Sequence, residues 1–295
     1  MSEPNGFQQL QNLFANANSL PQLPGASLRL IQILDDEDVP STEVERVIMG
    51  DPALTVAVIR AASSVIYGGQ DEGTTTVRGA INKLGHKSIQ SVAVSLGVQA
   101  LLGATGSCTS FDRIRFARHS IFVGFLARYI YACRANRAPF QSRWSRDEIF
   151  AAGVLHDMGV GLLARVDASA YERIYRVAKR CECGFQSAFK SIYGSPITEL
   201  SAIACKTWAL PSLFQEIISN FEEPLDYSEK VALSCVHYAN SLADENKHGL
   251  VPWHIEQPVE EAILSEVGLP AADVPGIVML ISQHTAAYVP LSHAA

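Results

Sequence analysis

No stretch of this chain alternates apolar and polar residues for long, so the sequence offers no source for a sheet-based fold. Basic residues are in deficit: 23 Lys and Arg stand against 30 Asp and Glu, a formal charge of -7. A protein whose main partner is nucleic acid needs surplus cations to neutralise phosphates. That balance argues against such a partner, although a local basic face remains open. Cysteine is scattered, at Cys108, Cys133, Cys181, Cys183, Cys205 and Cys235. Only Cys181 and Cys183 are close, and C-x-C without a second Cys or His pair lacks the donors of a structural zinc site. Reduced thiols fit better. Apolar runs are broken by Arg, His or Gly well short of the roughly 20 residues of a membrane span. Residues 1–11 are polar, with no basic segment ahead of an apolar one, so no signal peptide is expected. The expectation is a cytoplasmic protein with no membrane partner.

What the chain does have is apolar content, 48% of 295 residues, enough for one large domain or two small ones. The pattern is helical almost throughout. Leu28, Ile31 and Leu34 make a first stripe after Pro24. Thr42 with Glu45 reads as a capping box. Asp51-Pro52 reads as a helix start, with the aspartate capping free N–H groups and proline at the first helical position. Val77, Ala80, Ile81 and Leu84 share a face, with Gly85 as the C-terminal cap. Further helices are expected over 89–102, 112–134, 171–190 (broken at Gly184), 198–207, 211–219 and 228–245. One or two more follow, around 259–267 and 274–284. Ser145 with Glu148 is a second capping box. The small, polar segment 103–110 suggests a boundary. The reading is all-α, with an N-terminal helical subdomain over 1–105 and a helical bundle over 106–295.

One dipeptide stands out in this helical background. His156-Asp157 sits in a run from Ile149 to Arg165 whose side chains are otherwise almost all apolar or glycine. On a helical wheel His156 shares a stripe with Ile149, Ala152, Gly153, Val160 and Leu163, so it faces a packed neighbour. Asp157 lies about 100° round, close enough to reach the same point. His119 lies on a second inward stripe with Phe116, Phe122, Val123, Leu126 and Ile130. Buried polar groups without partners cost several kcal/mol, roughly 2–7 each. Two inward histidines and an aspartate therefore either hold one divalent transition metal between helices or hydrogen-bond within the core.

The pattern His119 … His156-Asp157 resembles the HD superfamily of metal-dependent phosphohydrolases. Leu20-Pro21-Gln22-Leu23-Pro24, Asp51-Pro52-Ala53-Leu54-Thr55, the stretch from Arg60 to Tyr67-Gly68, Ala80-Ile81 before Leu84-Gly85, and Trp208-Ala209-Leu210-Pro211 narrow the likeness. In that order they are similar to the HDOD domain, the HD-related output domain of bacterial signalling. The resemblance covers roughly 20–244. It implies an HD-like bundle, a bacterial signal-transduction or regulatory role, and His119, His156 and Asp157 as metal ligands.

The departures from the pattern imply as much. Active HD enzymes carry a further aspartate on a later helix, and the matching position is Asn240. Val160 stands where two-metal relatives have lysine, Glu199 where they have an additional histidine, and nothing near Asn220-Phe221 matches their His-His pair. His237, three positions before Asn240, and Glu199 are candidate replacement ligands; the plainer reading of His237 is a core hydrogen bond. Two-metal phosphodiester chemistry needs a bridged ion pair and an activated water, and this set is too thin for it. The expectation is a binding or scaffolding module with a weak or vestigial metal site, no catalytic residues and no required cofactor. The competing reading is a one-metal phosphohydrolase acting on a nucleotide or cyclic dinucleotide.

Eight arginines fall between residues 113 and 146, with Arg115 and Arg118 nearest His119. They suggest either an anion-binding face or a solvated face with ion pairs. The expected partners are signalling proteins or a small anionic ligand. Cys181-x-Cys183 reads as ordinary thiols, and the acidic run 35–38 as a solvated turn.

Overall fold

The computed structural model describes residues 6–16, 18–34, 36, 38–63, 74–103, 108–137, 143–253 and 259–288. A polar loop is expected over 68–76 and another over 139–143; residues 68–73 and 139–142 of these, half of the boundary segment 103–110, part of the stretch from 60 to 68 and two positions of the run 35–38 lie outside the described residues. Among the described residues there are helices and no strand. The fold class is all-α.

The chain separates into two units. The first comprises 22–103. It contains α2 (Gly25–Ile33), α3 (Ser41–Met49), α4 (Pro52–Ser63) and α5 (Val77–Gly103). Leu30, Val44, Ile48, Val58, Ala62, Ala80 and Ile89 form its core. Asp51 Oδ1 accepts from the N–H groups of Ala53 and Leu54, the expected cap. The expected Thr42–Glu45 box does not form. Pro40 caps α3 without a side-chain bond, and Glu45 instead takes two bonds from the Arg78 guanidinium. Gly85 has φ +75°, so the two stretches of α5 meet at a left-handed residue, as the glycine suggested.

The second unit comprises 1–21 and 104–295. It contains α1 (Gly6–Ala15), α6 (Arg113–Arg137), α7 (Arg146–Leu155), α8 (Met158–Val166), α9 (Ala168–Cys181), α10 (Phe185–Tyr193), α11 (Thr198–Thr207), α12 (Ser212–Asn220), α13 (Lys230–Glu245), α14 (Glu261–Val267) and α15 (Val274–Tyr288). The expected subdomain 1–105 placed the first 21 residues elsewhere. They cluster here because Phe7, Leu10 and Phe14 bury their stripe where α1 packs on α11. The long helix α6 lies at the centre, against α7, α13, α14 and α15. Arg146–Val166 is long and apolar enough to pass for a membrane span, yet 89% of it is buried inside the protein. It is the core element of this unit.

Candidate metal centre

A close crossing of α6 and α7 sets the site. A Cβ on Gly153 of α7 would come within 2.7 Å of Gly124 Cα on α6. Only glycine at both positions lets the two backbones approach so closely. The crossing lies one turn from both histidines, His119 on α6 and His156 just past the end of α7. The Ser145–Glu148 capping box forms as expected and fixes the start of α7.

The sequence suggested that one helix would carry both His156 and Asp157. Instead the helix breaks there: α7 ends at Leu155, α8 begins at Met158, and Asp157 has φ -101° and ψ 18°. His119, His156 and Asp157 are 1%, 0% and 2% exposed.

Their donor atoms form a small triangle. His119 Nε2 lies 3.2 Å from His156 Nε2 and 3.2 Å from Asp157 Oδ2, and His156 Nε2 lies 3.1 Å from the same oxygen. Bonds of about 2.0–2.2 Å to a tetrahedral or octahedral ion give a triangular face with edges of roughly 3.0–3.5 Å. The triangle matches that face.

The protonation pattern agrees. His119 Nδ1 donates to the His248 carbonyl at 3.0 Å, and His156 Nδ1 donates to the Gly153 carbonyl at 2.7 Å. A carbonyl only accepts, so each ring donates from Nδ1 and turns Nε2, the nitrogen a metal would take, toward the triangle. Two imidazole nitrogens and one carboxylate oxygen thus converge on one point. Gln186 Nε2 donates to Asp157 Oδ1 at 2.6 Å and holds the carboxylate's other oxygen. Such outer bonds orient metal ligands. The residues present fit one divalent transition metal.

Charge within the cluster is strongly coupled. Burial alone would raise the Asp157 carboxyl, but the imidazoles of His156 and His119 hold it well below the usual carboxylate range. Burial would lower His156, yet the Asp157 charge beside it raises it.

A cavity of about 360 Å³ opens on His119 and Asp157. His237 and Asn240, on α13, both line it. Asn240 is within hydrogen-bonding reach of His156. His237 Nδ1 donates to the Phe221 carbonyl at 3.0 Å, and burial lowers its pKa. Neither residue joins the tight triangle, which contains no fourth His, Cys, Asp or Glu among the described residues.

Glu199 is not at this site. It lies on α11 facing α1, where Gln11 Nε2 donates to its Oε2 at 3.4 Å. Arg115 and Arg118 do not line the cavity either. Arg115 donates to the Gly249 carbonyl, and Arg118 is exposed. Five of the other six arginines are spent on local bonds: Arg128 to Asp147, Arg134 to the Glu266 carbonyl, Arg137 to Asp273, Arg143 to Glu216 and Arg146 to Asn136. They tie α6 and its neighbours together.

Two wall residues escaped the sequence reading. Gln186 starts a helix twenty-nine positions from its partner Asp157, and no spacing rule links them. Glu222 follows α12 and looks like any surface acid. Its Oε1 is buried without a hydrogen-bond partner. Burial, with the Asp157 charge nearby, pushes the carboxyl up to about 7. An unpaired buried carboxylate was the available signal, and only the fold displays it.

Comparison with known proteins follows the same lines. A search of curated proteins gives no match. Among solved structures, an HDOD domain protein of unknown function from Geobacter sulfurreducens aligns with TM-score 0.73 and 19% identity, over 95% of this chain and 98% of that one. A candidate metal-dependent phosphohydrolase from Shewanella amazonensis SB2B aligns with TM-score 0.67 and 18% identity, over 95% and 96%. A candidate signal transduction protein from Marinobacter aquaeolei VT8 aligns with TM-score 0.68 and 19% identity, over 90% of this chain and 58% of that one. At these identities the likeness is one of fold. The HDOD domain profile matches residues 20–224, most of the chain and the whole stretch that carries His119, His156 and Asp157. The chain belongs to the HDOD domain family.

Proposed function

We propose that this protein is a regulatory module of bacterial signal transduction that binds a partner and does not hydrolyse phosphoesters. The observation that carries the reading is Asn240 beside His156. The resemblance to active HD enzymes calls for a carboxylate at that position, and the amide brings no charge. His119, His156 and Asp157 suffice for one ion, whereas two-metal chemistry needs a bridged pair. The cavity wall points the same way. Glu222, Glu223 and Asp244 line it against a single Lys190, a surface that repels a phosphate rather than gathering one. The partner expected is another signalling protein in the cytoplasm or, on the Arg115–Arg118 side of α6, a small anionic ligand. Nucleic acid and membrane are not expected partners.

A one-metal phosphohydrolase is the second reading. It is favoured by the convergence of three oriented donors at the floor of an open cavity. A divalent ion held by His119, His156 and Asp157 would supply Lewis acidity there. The test is a turnover assay on protein loaded with Mn2+ or Zn2+, using bis(p-nitrophenyl) phosphate and a cyclic dinucleotide. No turnover above the His156→Ala variant is expected. Enzyme-like turnover that disappears in His156→Ala would overturn the proposal.

A further inference from the structure

The buried triangle has one negative charge, on Asp157, for an ion that carries two positive ones. Asn240 adds none. The uncompensated charge has a counterpart in the same cavity. Glu222 lines it with His119 and Asp157, and its Oε1 is buried with no hydrogen-bond partner, Lys190 included. Native proteins rarely leave a buried carboxylate oxygen unpaired, and such an orphan marks a missing cation or donor. Among the described residues no other acid of the cavity wall has an orphaned buried oxygen. The Glu222 charge is felt at Asp157 and His156, so any cation on the triangle also acts on Glu222.

We infer that Glu222 is the second negative charge of the metal centre, facing the ion across the cavity and replacing the carboxylate lost at Asn240. It lies outside the tight triangle, so it acts as a facing charge rather than as a fourth donor. The inference rests on the metal-binding fit of the triangle, and it goes beyond the non-hydrolytic reading without depending on it. Phe221 caps α12, packs edge-on to His156 at 5.2 Å, and gives its carbonyl to His237, which places the next residue in the cavity wall.

The test is calorimetric titration of Mn2+ and Zn2+ into full-length protein stripped with chelator, comparing wild type, Glu222→Gln, Lys190→Met, Asn240→Asp and the Asn240→Asp/Glu222→Gln double variant. Outer-sphere partners of metal sites are worth about 10–100-fold in affinity. Glu222→Gln is expected to weaken binding about tenfold or more, Lys190→Met not to weaken it, and the double variant to recover what Glu222→Gln loses. The metal-free Glu222→Gln protein is expected to melt higher than metal-free wild type, because the orphaned charge is gone. Opposite effects on metal affinity and metal-free stability separate an electrostatic role from loss of fold. Unchanged affinity in Glu222→Gln, or wild type that takes up neither ion, overturns the inference. The two failures are distinct. Turnover with weakened binding in Glu222→Gln sinks only the non-hydrolytic reading, and unchanged binding without turnover sinks only the role of Glu222.

Discussion

Two backbone carbonyls decide the chemistry of both histidines. Gly153 and His248 accept from Nδ1, so each ring turns its Nε2 toward Asp157. His248 is itself held, its ring stacked on Phe122 at 4.1 Å and bonded to Ser282 on α15. Glu222 is the opposite case, a side chain whose Oε1 is buried with no hydrogen-bond partner. Its raised pKa has a defined consequence for stability. A group whose folded pKa lies above its unfolded value favours folding while protonated, and that contribution fades as pH rises through the folded pKa. The unfolded value is near 4.5 and the folded value is about 7. Chelator-treated wild type should therefore lose up to about 3 kcal/mol of stability from this group as pH rises from 4.5 to 8. Chemical denaturation of wild type and Glu222→Gln across that range measures it. The variant's curve should lack the decline, and parallel curves would remove Glu222 from the account.

At the scale of elements, the site exists because α6 and α7 cross without side chains between them. Gly124 and Gly153 meet backbone to backbone. Gly153→Ala must push the helices apart, at a cost of about 1–3 kcal/mol. It should also open the 3.2 Å approach of the two histidines, so metal affinity should fall along with the melting temperature. An unaltered melting temperature would mean the crossing is looser than the contact implies. The sequence places Gly153 on the inward stripe of His156, but does not say which backbone packs against it. The break between α7 and α8 was invisible for a related reason. Residues 149–165 hold no proline, and the helical stripe of Ile149, Ala152, Val160 and Leu163 continues through His156, so periodicity reads one helix. The turn at His156-Asp157 is set by the packing around it, with Gly159 held close against Ser201.

At the scale of the whole molecule, the first unit carries its own core. Leu30, Val44, Ile48, Val58 and Ile89 are all within 22–103 and all fully buried. A fragment of residues 22–103 is expected to fold alone, with helical circular dichroism and a cooperative thermal transition. A featureless melt would show that the unit depends on the rest of the chain. The metal centre, by contrast, draws on α6, the α7–α8 turn, α10 and α13, with Glu222 just after α12. Shortening the second unit from either end of that set should abolish it.

The residue types and their periodicity by themselves determined the all-α class, most helix positions, the inward faces of α6 and α7, and the trio His119, His156 and Asp157. Those features are local, because a helix stripe or a polar residue on an apolar face is written within a few turns of chain. The tertiary structure alone decided the rest. It sent Glu199 to the α1 contact and six of the eight arginines to structural bonds, placed α1 with the second unit, and brought Gln186 and Glu222 to the cavity. Each of those outcomes depends on which helix meets which, and distant helices are brought together by burial of apolar faces that carry no label for their partner.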